Sequence, residues 1–134
     1  MSRTKQYLAL DVGEKRIGVA LGDGGVRIAF PYETIEADGG EVVRILELIV
    51  SKKIDEVVVG YPRNQSGQAT AQTAYVESFV EKLKDSDAKF VFQDESLTSV
   101  LAEQRLQSYK KPYSKGDIDA MAASLILQDY LEKV

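Results

Sequence analysis

The sequence predicts an α/β domain built on a mixed five-stranded sheet flanked by helices. Three apolar segments near the N-terminus are separated only by short polar turns, which predicts an antiparallel meander of three strands. Beyond residue 38, apolar residues at helical spacing alternate with two short apolar runs, which predicts two parallel strands between helices. The 134 residues contain no repeat and no long linker, so we expect a single domain over residues 1–134.

The meander is predicted from the apolar runs themselves. Tyr7–Val12 and Ile17–Asp23 are the first two strands, joined by the polar turn Gly13–Arg16. Val26–Thr34 is the third strand, and Pro31 within it favours an edge position because proline cannot donate to a ladder.

The later elements follow from the change of period after Asp38 or Gly39, where the first helix is expected to begin. The remaining predicted elements are the strand Val57–Gly60, the loop Tyr61–Gln68, the helix Thr70–Lys84, the strand Lys89–Gln93, the helix Thr98–Tyr109, the loop Lys110–Ser114 and the helix Asp117–Lys133. In open α/β sheets, the site lies at the carboxyl ends of such strands.

Composition excludes several kinds of chemistry. The chain has no His and no Cys, which excludes a Ser-His-Asp triad, a His general base, thiol catalysis and His-ligated zinc. The lack of Cys also fits a cytoplasmic protein, and no apolar run predicts a membrane span or a signal peptide. The net charge of -4 gives no overall attraction to nucleic acid, so such binding would need a local basic surface.

Asp11 lies at the end of an apolar strand, where a carboxylate is costly to bury unless a cation meets it. Gly13 has no side chain, so a ligand or metal could approach the backbone beside it. The alternative is purely structural, since Asp-x-Gly is common in tight hairpin turns.

Further carboxylates stand at the ends of other elements. Asp94 and Glu95 end the last strand, and Asp117 and Asp119 open the last helix. Convergent carboxylates without His or Cys suit Mg²⁺ or Mn²⁺, and two such ions about 4 Å apart activate water in phosphodiester cleavage. Each acid alone also fits a structural role, in a turn or in the first turn of a helix.

Helical spacing separates Asp117 from Asp119, because residues two apart point to nearly opposite sides. Asp119 shares a face with an apolar stripe that must pack on the sheet, and we expect it to point toward Asp11 and Glu95. Asp117 is expected to cap the helix or face water, on a wetter side. The stripe beside Asp119 is Ala122, Ala123, Ile126, Leu127 and Tyr130, and the side of Asp117 carries Ala120, Met121, Ser124 and Gln128.

Four blocks of the sequence resemble the YqgF-type (RuvX) family, in the family's order and over nearly the whole chain. The first block is Asp11–Ala20 (DVGEKRIGVA), and the second runs from Val58-Val59-Gly60-Tyr61-Pro62 to Gly67. The third is Asp94–Ser99 (DESLTS), and the last is Lys115–Leu127. The resemblance implies an RNase H-like fold and a metal-dependent nuclease, active in Holliday junction resolution or in maturing the 5′ end of pre-16S ribosomal RNA.

The resemblance also implies which residues act. The family's three acids fall on Asp11, Glu95 and Asp119, as catalytic residues and ligands of Mg²⁺ or Mn²⁺. The family's third block usually carries an Arg after Asp-Glu, whereas this chain has Ser96. A positive contact to the scissile phosphate would then be missing or come from Lys15, Arg16 or Lys115.

Basic residues are predicted to rim the same end of the sheet and bind phosphates. They are Lys15, Arg16, Arg63, Lys110, Lys111 and Lys115. The expected partner is nucleic acid, either branched DNA or ribosomal precursor RNA within ribosomal particles, with no membrane, and the chain is expected to be a monomer or weak homodimer. Two alternatives stay open: a non-catalytic nucleic-acid-binding module of the same fold, and an actin-like ATPase fragment, because Asp-x-Gly before a second strand also resembles a phosphate loop.

Overall fold

The structure is a computed structural model that describes residues 4–62, 70–95 and 98–134. These residues form five strands, namely β1 (Gln6–Val12), β2 (Arg16–Asp23), β3 (Ala29–Glu36), β4 (Glu56–Pro62) and β5 (Lys89–Glu95). The sheet order is β3-β2-β1-β4-β5. The β1–β2 and β2–β3 pairs are antiparallel, whereas β1–β4 and β4–β5 are parallel. The predicted meander with two parallel strands is therefore confirmed.

Helices cover both faces of this sheet. The described helices are α1 (Glu41–Ser51), α2 (Ala71–Glu81), α3 (Thr98–Ser108) and α4 (Lys115–Leu131). On one face, Leu10 of β1 is buried in a cluster with Ile45 of α1 and Phe79 of α2. On the other face, Ala9 is buried in a cluster with Ala123 of α4. Successive side chains of a strand point to opposite faces, which explains why Ala9 and Leu10 enter different clusters. No helix in the described part of the chain is long and apolar enough to cross a membrane.

The third strand begins later than predicted, at Ala29 instead of Val26. Oδ1 of Asp23 accepts from the backbone N–H of Gly25 at 2.6 Å and of Val26 at 3.2 Å, and this holds a turn in which Arg27 has a φ of 62°. The apolar pattern of the segment does not reveal this turn. β3 is an edge strand, as predicted, and its register with β2 shifts where Pro31 pairs with Ala20.

The last helix begins at Lys115, two residues before the predicted start. Ser114 caps it: its Oγ accepts from the N–H of Asp117 at 3.2 Å, and the Asp117 carboxylate accepts from the N–H of Ser114 at 2.9 Å. The cap confirms the structural role expected for Asp117. The other element boundaries differ from prediction by a few residues, as is usual at element ends.

The prediction of a wet side on α4 is wrong. Met121, Ala120 and Ser124 are all buried, because α4 is covered on more than its sheet side. Ala102 of α3 packs in a cluster with Met121 and Ala122. A helix enclosed by the sheet and by a second helix buries most of its circumference, which periodicity within one helix cannot reveal.

Candidate active site

Asp11 lies on the α4 face of the sheet, at the carboxyl end of β1. Side chains of a strand alternate between the two faces, so Asp11 lies on the same face as Tyr7 and Ala9. Both of these residues are buried in the cluster that includes residues of α4. Its partner across the β1–β2 ladder is Gly18. The Asp11 side chain is partly exposed, in contrast to the fully buried residues before it. Asp11 thus places a partly exposed carboxylate at the carboxyl end of β1, where the buried part of the strand ends.

Gly18 is the point at which α4 lies closest to the sheet. A Cβ atom added to Gly18 would lie 1.9 Å from the backbone oxygen of Asp119 and 2.9 Å from the backbone nitrogen of Ala120. No real Cβ fits at these distances, so the contact requires glycine. Because Gly18 pairs with Asp11, the backbone of Asp119 lies directly above the rung that holds Asp11.

Arg16 forms an ion pair with Asp119. Nε of Arg16 donates to Oδ2 of Asp119 at 2.6 Å, across 103 positions of sequence. The hydrogen bond to Asp119, followed by the charge of Asp119, raises the pKa of Arg16, and the charge of Glu36 adds to this shift. Arg16 and Gly18 are two residues apart on β2, so they share the face that meets α4.

Glu95 is the last residue of β5, and its backbone pairs with Pro62 of β4. Two rungs earlier, and thus on the same face, Gly60 pairs with Gln93. The side chain of Glu95 lies outside the described set, and so do Arg63 and Ser96. Among the side chains that the structure describes, no three acids form a group that could hold a metal ion. The structure therefore brings the positions of Asp11 and Asp119 together, whereas the side chain of the third predicted acid lies outside the described residues.

Those predicted basic residues that the structure describes lie in three places. Lys15 is exposed in the turn between β1 and β2, next to Arg16. Lys110 and Lys111 are exposed in the turn after α3, where Lys110 has a φ of 57°. Lys115 is exposed in the first turn of α4, one helical turn before Asp119. Lys15 and Arg16 thus lie in the turn and the strand that follow Asp11, and Lys115 lies on the helix that carries Asp119.

Two features of the site differ from the sequence-based interpretation. The space beside Gly13 holds the backbone oxygen of Arg16, which accepts from the N–H of Gly13 at 3.0 Å, so this glycine closes the β-turn. The glycine with a role in the site is Gly18, which the sequence analysis did not single out. A signal was present, because Gly18 stands opposite Asp11 in the predicted hairpin and removes a side chain from the helix-facing side.

Solved structures with a similar fold include Holliday junction resolvases. RuvC of Thermus thermophilus in complex with a Holliday junction substrate has a TM-score of 0.59, with 13% identity over 96% of this chain and 94% of that chain. The fowlpox virus resolvase in complex with Holliday junction DNA has a TM-score of 0.60, with 13% identity over 96% and 97% of the two chains. These similarities show the fold, so this protein has the RNase H-like fold of the resolvase nucleases.

The family model RuvX, described as Holliday junction resolvase, matches residues 5–133. This chain belongs to the RuvX family. A Chloroflexus aurantiacus protein named "Putative pre-16S rRNA nuclease" is 43% identical over 130 residues, covering 93% of this chain and 85% of that protein. A Sulfurihydrogenibium protein of the same name is 41% identical over 132 residues, covering 96% and 91%. The predicted family and its class, nuclease, are confirmed.

Proposed function

We propose that this chain is a single-domain, metal-dependent endonuclease whose catalytic carboxylates are Asp11, Glu95 and Asp119. The observation that carries the proposal is the contact of α4 with Gly18, which holds Asp119 above the rung of Asp11. A helix this close to the sheet brings two acids from distant parts of the chain to one place. Glu95, at the carboxyl end of β5, is the third acid of the proposed set.

The proposed cofactor is Mg²⁺ or Mn²⁺, and the donor set fits these ions. Both are hard cations that prefer oxygen ligands, and the chain contains neither His nor Cys to favour a softer metal. Asp11, Glu95 and Asp119 would hold the ions, of which we propose two. When bound, such ions supply an activated water and stabilise the leaving oxygen of a phosphodiester.

We propose that the basic residues beside these acids bind the nucleic-acid backbone. Lys15 lies in the turn that joins β1 to β2, Arg16 begins β2 and Lys115 begins α4. Their charges therefore lie on the segment that follows Asp11 and on the helix that carries Asp119. Cations at such positions neutralise phosphates and fix the strand without reading its sequence. Arg63, Lys110 and Lys111 would extend this surface, and Arg16 or a neighbouring lysine would take the place of the arginine that Ser96 replaces.

The substrate that the relatives favour is a precursor of 16S ribosomal RNA. Relatives more than 40% identical over nearly the whole chain carry the name of a pre-16S rRNA nuclease. We therefore propose processing of the 5′ end of this RNA, in the cytoplasm and on ribosomal particles, by a monomer or weak homodimer. The family description favours a second substrate, the Holliday junction.

A panel of labelled substrates tests the function: precursor 16S RNA, a four-way DNA junction and linear duplexes, each with Mg²⁺ or Mn²⁺. Wild-type protein should cleave a structured substrate, and Asp11→Asn should reduce the rate by orders of magnitude while circular dichroism shows an intact fold. Melting temperature should hold or rise in this variant, because repulsion among the acids is relieved. Excess EDTA should abolish cleavage by the wild type.

The same panel separates the alternatives. Binding without cleavage at any substrate or metal would indicate a non-catalytic module of the same fold. Tight binding of ATP, measured alongside, would favour an ATPase fragment. Equal cleavage by wild type and Asp11→Asn would refute the proposed carboxylate mechanism.

A further inference from the structure

Arg16 holds one of the carboxylates that we propose as metal ligands. Its Nε lies 2.6 Å from Oδ2 of Asp119. The two side chains are 29% and 22% exposed, so the ion pair lies at the margin of the core. The guanidinium of Arg16 is close enough to balance the negative charge of Asp119. Because both side chains are partly exposed to solvent, the guanidinium also has room to move away from Asp119.

A second carboxylate lies next to Arg16 along the sheet. Arg16 is directly opposite Glu36 in the β2–β3 ladder. Residues that face each other across an antiparallel pair have Cβ atoms roughly 5 Å apart on one side of the sheet. Glu36 is exposed, and its charge already acts on Arg16. A change of side-chain rotamer is therefore enough to move the guanidinium from Asp119 toward Glu36.

A metal ion and a guanidinium compete for the same carboxylate. Both bind its lone pairs, and their positive charges repel each other at short range. Without metal, the carboxylates of this region need a cation nearby, because like charges that converge disfavour one another. Arg16 supplies that cation from the chain itself.

We propose that Arg16 is a displaceable counter-ion, which holds Asp119 in the metal-free protein and turns toward Glu36 when a divalent cation binds. The proposal rests on the proposed function, because it takes Asp119 as a metal ligand. Arg16 is then a positioning residue for this ligand: it keeps the carboxylate in place before the metal arrives and lowers the affinity for the metal.

The test measures Mn²⁺ affinity by electron paramagnetic resonance, with circular dichroism to verify the fold. Arg16→Gln removes the competing charge, so Mn²⁺ should bind roughly threefold to tenfold more tightly than to wild type. The metal-free variant should melt at a lower temperature than wild type and gain more from Mn²⁺. Arg16→Lys keeps a positive charge and should bind Mn²⁺ with nearly the wild-type affinity, which provides a second variant if Arg16→Gln folds poorly.

Arg44→Gln is the matched control. Arg44 pairs with Glu33, with Nε at 2.8 Å from Oε2, and this pair joins α1 to β3 on the opposite face of the sheet. The control removes the same charge and should leave Mn²⁺ affinity unchanged. Equal or weaker Mn²⁺ binding by Arg16→Gln would overturn the counter-ion role. The metal site itself would stand in that case if wild type binds Mn²⁺ and Asp119→Asn does not, whereas a wild type that binds no Mn²⁺ would overturn both proposals.

Discussion

The backbone oxygen of Asp119 occupies the space that a side chain at Gly18 would need. A Cβ on Gly18 would lie 1.9 Å from that oxygen, and the atoms in the way are backbone, which cannot rotate aside. Gly18 pairs with Asp11, so this one contact determines how far Asp119 lies from the end of β1. The separation of two proposed catalytic acids therefore depends on a residue that has no chemical function of its own.

Gly18→Ala should displace α4 from the sheet. Overpacking of this kind costs about 1–3 kcal/mol or more in the free energy of unfolding, measured by urea denaturation. Mn²⁺ binding and cleavage should fall as well, because Asp119 moves away from Asp11. Gly22→Ala is the matched control on the same strand and face. Its Cβ would meet the movable side-chain ends of Leu127 and Leu131, at 3.0 and 3.1 Å, and would lie at an ordinary 3.4 Å from the backbone oxygen of Ile28. Equal effects of the two substitutions would argue against a special role for Gly18.

Asp119→Asn and Asp117→Asn should differ sharply, although the residues are two positions apart. Asp119 accepts from Arg16 at the proposed metal site, so its amide variant should lose metal-dependent cleavage. Asp117 closes the capping box with Ser114, and its variant should keep most of the activity while losing about 0.3–1 kcal/mol of stability. Cleavage rates and urea midpoints of both variants check this. The reverse order of activities would mean that Asp119 is not a metal ligand.

The lysines around the start of α4 should contribute to nucleic-acid affinity through charge. Replacing Lys110, Lys111 and Lys115 together by Ala should weaken binding of nucleic acid. The plot of the logarithm of the binding constant against the logarithm of the salt concentration should become less steep, by about 0.7–0.9 for each lysine that contacts a phosphate. Binding titrations at several salt concentrations measure this slope. A control triple variant removes three exposed lysines distant from the start of α4, namely Lys82, Lys89 and Lys133. An unchanged slope in the first variant would indicate that these lysines contact no phosphate and that the segment between α3 and α4 only connects the two helices.

Tyr130→Phe should destabilise the protein at the other end of α4. The Tyr130 hydroxyl donates to the carboxylate of Glu56, which is only 4% exposed, and Lys5 lies 3.6 Å from the same carboxylate. Loss of this bond leaves a buried acceptor unsatisfied, at a cost of about 1–3 kcal/mol by urea denaturation. Tyr109→Phe, at a residue that is 51% exposed, should cost far less. Similar losses in both variants would contradict the assigned hydrogen bond.

The same tyrosine predicts a pH dependence. Burial, together with the bond to Glu56 and its charge, raises the pKa of Tyr130 from 10.0 to about 12. A group whose pKa is higher in the folded state than in the unfolded state stabilises the fold at pH values below its unfolded-state pKa. This contribution is lost as the pH rises through the folded-state pKa. Wild-type stability should therefore fall between pH 10 and 12 by more than that of Tyr130→Phe. Parallel pH profiles of the two proteins would exclude this linkage.

Local pattern was sufficient for most of the architecture. Short polar turns between apolar runs predicted the meander, and the change to helical spacing after residue 38 predicted the parallel strands. The separate positions of Asp117, in the helix cap, and of Asp119, beside β2, also followed from the spacing within one helix. The predicted start of β3 was wrong because the side chain of Asp23 stabilises a turn before the strand. The spacing of apolar residues does not reveal such hydrogen bonds.

The sequence by itself determined the order of the elements, the sheet that they form and the ends of those elements where acids stand. Only the tertiary structure decided that Arg16 meets Asp119, that Gly18 is the point of closest approach and that α3 buries a side of α4 predicted to be wet. The physical reason is the separation along the sequence of the residues that interact. Periodicity and capping depend on residues within a turn or two of each other, whereas these three contacts join segments that only packing brings together.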